Sequence, residues 1–234
     1  MSEIRESETD NIDRMGHVLR AYEGIRRMMF YSEIVPGQKI SYRDLSDRLG
    51  MSQTPIIQAL KWLEFQQLVR HEPNRGYYTA PVDPKEVEEI YDLREIIEVS
   101  LLPKILQRVD VEGMQKIEIA VNDHLTASRE IYLNERLRKD MALHLVLAEV
   151  SGCSVQHQVL RNLFNLLYLK YGGNILFSTS MKSADTEHLR LFEAIAKKDL
   201  KTSRKILTQH IRRVKDHVLA GLAKSFQAKA DAGL

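Results

Sequence analysis

The amino-acid sequence predicts a mainly α-helical chain in two parts. In a small N-terminal part, three helices precede a β-hairpin, and a larger all-helical part follows. Three observations carry that prediction. Five of the six prolines (Pro36, Pro55, Pro73, Pro81, Pro84) fall before residue 85, and the 131 residues after Pro103 contain none. In that proline-free stretch apolar residues recur every three or four positions, the period of packed helices. Before residue 80, Gly50-Met51-Ser52 separates two amphipathic segments, and turn-rich Glu72-Pro73-Asn74-Arg75-Gly76 separates two β-prone ones.

Residues 1–13 hold Glu3, Glu6, Glu8, Asp10 and Asp13 against Arg5, a net charge of −4, and are expected to be a disordered acidic tail. A first helix is predicted over 14–32, with Val18, Tyr22, Ile25 and Met29 on one face. Pro36-Gly37 supplies a turn. Ser41 and Asp44 form a capping-box-like start to a second helix whose inward residues are Leu45 and Leu49, and Gly50 suits its left-handed stop. Ser52 or Thr54 caps a third helix, where Pro55 is tolerated in the first turn and Ile56, Ala59, Leu60 and Leu63 form the buried face. The hairpin strands are Leu68–His71 and Tyr77–Ala80. Helix, helix-turn-helix and hairpin is the order of a winged helix-turn-helix, spanning 14–80. Ala80-Pro81-Val82-Asp83-Pro84 reads as a linker, placed at 81–84, and the helical bundle as 84–228. Its helices are expected near 84–107 (bent at Pro103), 110–132, 134–151, 155–172, 183–198 and 200–226.

Bulk properties narrow the function classes. No stretch approaches the ~20 apolar residues of a membrane span, and the N-terminus lacks the apolar run of a secretory signal. A lone cysteine, Cys153, excludes a disulfide framework and suits a reducing cytoplasm. The net charge of +2 says little, but residues 14–80 carry ten Lys/Arg against six Asp/Glu, compatible with a phosphate-facing surface. In a winged helix the third helix enters the major groove of double-stranded DNA, and the wing, here with Arg75 at its tip, touches backbone or minor groove. Short helical pairs also occur in proteins that never meet DNA, so the pattern alone leaves both readings standing.

Polar residues on apolar stripes point to a second function. Asp140 and His144 share a stripe with Leu137, Met141, Leu145 and Ala148, one turn apart with Cβ atoms about 5–6 Å from each other. His188 aligns with Leu191, Phe192 and Ile195, and His210 with Leu207 and Val214. A single histidine on such a stripe is ordinarily a satisfied core residue. Four such groups on three helices, one a carboxylate that is costly to bury alone, fit a divalent metal (zinc, nickel or manganese) equally well. The pattern does not show whether those helices converge. His17, His71, His124, His157 and His217 read as ordinary surface or core residues.

The run Pro36-Gly37…Ile40…Leu45-Ser46…Leu49-Gly50-Met51-Ser52-Gln53-Thr54-Pro55-Ile56…Ala59-Leu60…Leu63, followed by Leu68-Val69 and Arg75-Gly76, resembles the signature of the GntR family of bacterial transcription regulators. The resemblance implies that Arg43, Ser52, Thr54 and wing Gly76 contact operator DNA. It also exposes a departure: the family usually has arginine where this chain has Gln53 and Ile57, which with Lys61 form a stripe opposite the core. Neither residue can make the paired guanine contact of an arginine. With the scaffold otherwise intact, altered base preference is expected in place of lost DNA binding.

Asp140-x3-His144, Glu187-His188 and His210, together with Tyr91-x-x-Arg94-x-x-x-Glu98, resemble the FCD effector domain of the FadR subgroup. That resemblance implies a homodimer with a metal centre at Asp140, His144, His188 and His210. It also implies an organic-acid effector whose carboxylate pairs with Arg94, and a palindromic operator whose affinity the effector alters. The metal set argues against the acyl-CoA-binding branch. No enzymatic activity is expected. Two other readings use the same residues: a metal-dependent enzyme acting on an organic acid, for which Glu149 is the nearest candidate base, and a scaffold protein whose winged helix contacts only proteins.

Overall fold

The computed structural model describes residues 2–127, 133–170 and 182–231. The chain divides after Val82 into two compact units, with the stretch beginning at Tyr168 grouped with the first. In the first unit, helix α1 (Ser2–Phe30) is followed by strand β1 (Lys39–Ile40), α2 (Tyr42–Leu49), α3 (Gln53–Phe65), β2 (Val69–Glu72) and β3 (Gly76–Thr79). The acidic segment expected as a disordered tail is instead helical from Ser2. Neither glycine nor proline interrupts it before Gly16.

Local signals set the helix ends. The Ser41 side chain accepts from the Asp44 backbone N–H at 3.2 Å, and Gly50, at φ +62°, closes α2 in the left-handed conformation. Ser52 is the N-cap of α3 by its extended backbone, but its side chain makes no capping bond. Val18, Ala21, Ile25 and Met29 of α1 are buried in one core with Leu45, Ile56, Ala59, Leu60 and Leu63. The sheet has the order β1-β3-β2, with Tyr78 paired to Lys39 on one side and Arg70 on the other. β1 is absent from the sequence prediction because two residues are too short for a period-two pattern. Buried Thr79 anchors this edge, its hydroxyl donating to the Val35 carbonyl at 2.6 Å and accepting from Gln38 N–H at 2.9 Å.

Among the described residues the second unit is entirely helical. It comprises α4 (Pro84–Arg108), α5 (Val111–Ala127), α6 (Leu133–Val150), α7 (Ser154–Asn165), α8 (Lys182–Ala196) and α9 (Leu200–Asp231), and a π-helical turn (Leu166–Lys170) that follows α7 belongs to it only as far as Leu167. Asp83 caps α4, accepting from Lys85 N–H at 3.0 Å with Pro84 in the first turn. The helix runs through Pro103 to Arg108, and Pro103 itself is exposed. Helix α9 lies along α4, α5 packs on α6, and α8 touches both α5 and α9. Arg108 at the end of α4 donates to the Ser151 carbonyl at 3.0 Å, beside Gly152 at φ +68°. The left-handed backbone selects glycine there, and a Cβ at Gly152 would stand 2.3 Å from the Arg108 guanidinium, whose end would have to move aside. No helix among the described residues is long and apolar enough to cross a membrane.

Candidate metal centre and DNA-reading face

Three helices of the second unit bring four predicted residues together. Asp140 and His144 of α6, His188 of α8 and His210 of α9 each offer a ligand atom, and these atoms all lie within 4.8 Å of one another. The three histidines are 1% exposed each, and the Asp140 side chain keeps 17% exposure.

Each imidazole is turned by a partner on its outer nitrogen. His144 Nδ1 donates to Glu98 Oε2 at 2.5 Å, and His210 Nδ1 donates to Glu187 Oε2 at 2.9 Å. Carboxylates only accept, so both rings carry their proton outward and direct a bare Nε2 inward. His144 Nε2 is buried without a hydrogen-bond partner, and His188 Nε2 and His210 Nε2 face each other at 3.3 Å. A buried acceptor with no donor is costly, and a cation at the focus of these atoms removes the cost. The donor set, three imidazoles and a carboxylate, suits a divalent transition metal.

The electrostatics agree. Burial pushes His188 and His210 below the ordinary imidazole value, His210 to about 4, which keeps both neutral and ready to ligate at pH 7. Glu98, also buried, is brought down to about 2 by His144 and by Arg94, which overcome the desolvation. Arg94 is 2% exposed; its Nε donates to Glu98 Oε1 at 2.9 Å and its guanidinium lies 4.3 Å over the Phe164 ring. Glu98 therefore joins Arg94 directly to His144.

By sequence alone Glu98 and Glu187 stand out only as parts of motifs, and His124 reads as an ordinary residue. His124 is 1% exposed and lies 3.3 Å from His188 (Nδ1 to Nδ1). The signal existed: Ile117, Ala120, Val121 and His124 keep the same stripe spacing that singled out His144. His217 is half-buried and lies outside the cluster, and Glu149 is exposed and paired with Lys116 at 3.1 Å.

In the first unit the structure places Ser52, Gln53, Thr54 and Lys61 exposed and Ile57 half-buried on α3. Arg43 is exposed in the first turn of α2, and Arg75 is exposed at the hairpin tip, 3.4 Å from Glu72 Oε2. Gly76 takes φ +96°, and a Cβ there would approach the Tyr42 hydroxyl to 3.4 Å. A cleft of about 570 Å³ runs between α1 and the helix-turn-helix, lined by His17, Arg20, Ser52, Thr54 and Gln58 among others.

A winged helix on one unit and a buried ligand cluster in a helical bundle on the other define a DNA-binding regulator with a sensory domain. Comparison with known proteins agrees. Residues 18–78 match the family described as bacterial regulatory proteins, gntR family, and residues 89–213 match the FCD domain. The chain is 23% identical over 213 residues to the uncharacterized HTH-type transcriptional regulator YdhC of Bacillus subtilis, covering 86% of this chain and 91% of that one. It is 21% identical over 197 residues to the HTH-type transcriptional repressor RspR of Escherichia coli, covering 84% and 86%. Among solved structures, Escherichia coli McbR/YncC shares the fold at a TM-score of 0.74 and 16% identity, over 90% of this chain and 98% of that one. The chain belongs to the GntR family of bacterial transcriptional regulators, in the group that carries an FCD domain.

Proposed function

We propose that this regulator binds a palindromic operator as a cytoplasmic homodimer and that an organic acid, held at a metal centre in the helical unit, sets its operator affinity. The observation that carries the proposal is the convergence of Asp140, His144, His188 and His210 around a buried, unpartnered His144 Nε2. These four residues would hold a divalent ion (zinc, nickel or manganese), whose charge and open position supply an anchor for a carboxylate or hydroxyl oxygen. Arg94 would receive a carboxylate of the effector in fork geometry. Because Glu98 already holds Arg94, the incoming carboxylate shares that guanidinium with Glu98, and the contact reaches His144 through the same side chain. The effector thus has a route to the ligand cluster through two hydrogen bonds. Operator affinity changes to the extent that the acid binds one conformation better than another.

On the DNA side, the proposal assigns phosphate or base contacts to Arg43, Ser52, Thr54, Lys61, Arg75 and Gly76, with Gln53 and Ile57 reading bases. The enzyme reading gains nothing from the carboxylates near the cluster. Glu98, brought down to about 2, is too weak a base, and Glu149 is engaged elsewhere.

Metal content, measured on protein purified without a His-tag, tests the central claim. About one divalent ion per chain is expected, with loss in His144→Ala and His210→Ala; full retention in both variants refutes the assignment. Arg94 is tested by Arg94→Lys, which keeps a cation beside Glu98 and removes the fork. It should keep its metal and lose thermal stabilisation by the organic acids that stabilise the wild type. Equal stabilisation removes Arg94 from the pocket.

A further inference from the structure

The outer partners of the three ligand histidines are not alike. His144 and His210 each give Nδ1–H to a carboxylate, whereas the Nδ1 of His188 faces the Nδ1 of His124 at 3.3 Å. His124 comes from α5, a helix that supplies none of the four ligands. Its other nitrogen, Nε2, lies 3.6 Å from Asp140 Oδ1. One buried side chain thus stands against two ligands on two different helices. Resting on the metal reading above, we infer that His124 is a positioning residue of the metal centre, orienting His188 and Asp140 without ligating.

Proton placement supports the assignment. For His188 to present a bare Nε2 inward, its proton must sit on Nδ1, and that N–H needs an acceptor in a site closed to water. His124 Nδ1 is the acceptor in place. Accepting there puts the proton of His124 on Nε2, where it is directed at the Asp140 carboxylate. The same step therefore fixes the tautomer of His188 and adds a favourable charge–dipole contact to Asp140. Asp185 Oδ1 lies 3.6 Å from His124 Nδ1, and Arg136 Nη2 stands 3.4 Å from that same oxygen. Arg136, 8% exposed, offsets the carboxylate and keeps it from claiming the His124 proton. A neutral imidazole is also a weaker acceptor than a carboxylate, so His188 is the least electron-rich of the three ligands.

His124→Asn keeps an acceptor near the Nδ1 position, His124→Gln moves it toward the Nε2 position, and His124→Leu removes it. Affinity for Co²⁺ and Zn²⁺ is measured by chelator competition on the full chain, with the visible Co²⁺ spectrum and the metal-free melting temperature recorded for each variant. Imidazole ¹⁵N chemical shifts of the Zn²⁺-loaded wild type report which nitrogen of His188 is protonated. The Leu variant should bind Zn²⁺ about 10–100-fold more weakly, the range typical of lost outer partners. The Asn variant should recover most of that loss and the Gln variant little, and His188 should carry its proton on Nδ1. If Leu fails to fold without metal, the Asn–Gln difference decides. Wild-type-like binding by Leu or Gln, or equal weakness of Asn and Gln, overturns the role of His124. Failure of the wild type to bind either ion overturns the metal reading itself, a result distinct from those.

Discussion

Removing the metal should lower the stability of the helical unit by an amount that can be worked from the cluster. In the absence of an ion, His144 Nε2 is buried with no donor, and the facing Nε2 atoms of His188 and His210 must share one proton or repel at 3.3 Å. Each unsatisfied buried group costs about 1–3 kcal/mol. An ion bound at a free concentration 1,000 times its dissociation constant stabilises the folded state by about 4 kcal/mol. In a domain of 150–250 residues about 1 kcal/mol moves the melting temperature by about 2–4 °C. Stripping the ion should therefore lower the melting temperature by about 8–16 °C, and His210→Ala should melt at the same temperature with or without added ion. The assay is differential scanning fluorimetry or calorimetry at pH 7.5 on wild type and variant, as purified, chelated and reloaded. A wild-type melting temperature that ignores both chelation and reloading, with metal removal verified by elemental analysis, refutes the argument that these four side chains are arranged around an ion.

Three further outcomes are expected. The folded-state pKa of His210, near 4, lies below the ordinary 6.5, so the unfolded chain binds more protons between those values. Metal-free protein should lose stability as the pH falls from about 6.5 to about 4, by up to about 1.4 kcal/mol per pH unit for each such histidine. Urea unfolding at pH 7 and pH 5 checks the sign, and greater stability at pH 5 contradicts it. Gly152→Ala should destabilise by about 1–2 kcal/mol from its left-handed backbone alone, and more if Arg108 must release Ser151; a thermal melt equal to wild type shows that the turn relaxes. Gln53→Arg with Ile57→Arg should shift the bases selected from random DNA from A·T toward guanine, by about 1–3 kcal/mol per paired contact, and an unchanged selected site excludes these positions from base reading.

What the sequence made legible followed from periodicity. Asp140, His144, His188 and His210 stand out because each interrupts an apolar stripe, and a stripe fixes which way a helical side chain points. Helix ends were legible for a similar local reason: Ser41 and Gly50 act within a few residues of themselves, whereas Asp83, read only as part of a linker, proves to cap α4. Local rules also misled where context was missing. The acidic residues before Asp13 read as a tail by composition, yet nothing in them breaks a helix that α1 continues. Strand β1 exists only because Tyr77 and Tyr78 pair with it, partners 37 and 39 residues away that no two-residue pattern announces.

The outer partners of the cluster show the limit most clearly. Glu98 and His144 are 46 residues apart, and His188 and His124 are 64. Their encounters depend on how α4, α5, α6 and α8 pack, which stripe spacing does not encode. The sequence could point the ligands inward but could not tell which nitrogen each imidazole turns toward the centre. That choice is made by Glu98, Glu187 and His124, and it separates a metal site from a buried group of histidines. Glu98 adds a consequence that neither of its neighbours has alone: its two oxygens are given one to Arg94 and one to His144. A carboxylic acid that shares Arg94 would leave the charge of Glu98 less offset and its bond to His144 stronger, raising the basicity of that ligand. Effector and metal should therefore bind with positive coupling, each tightening the other by the same factor.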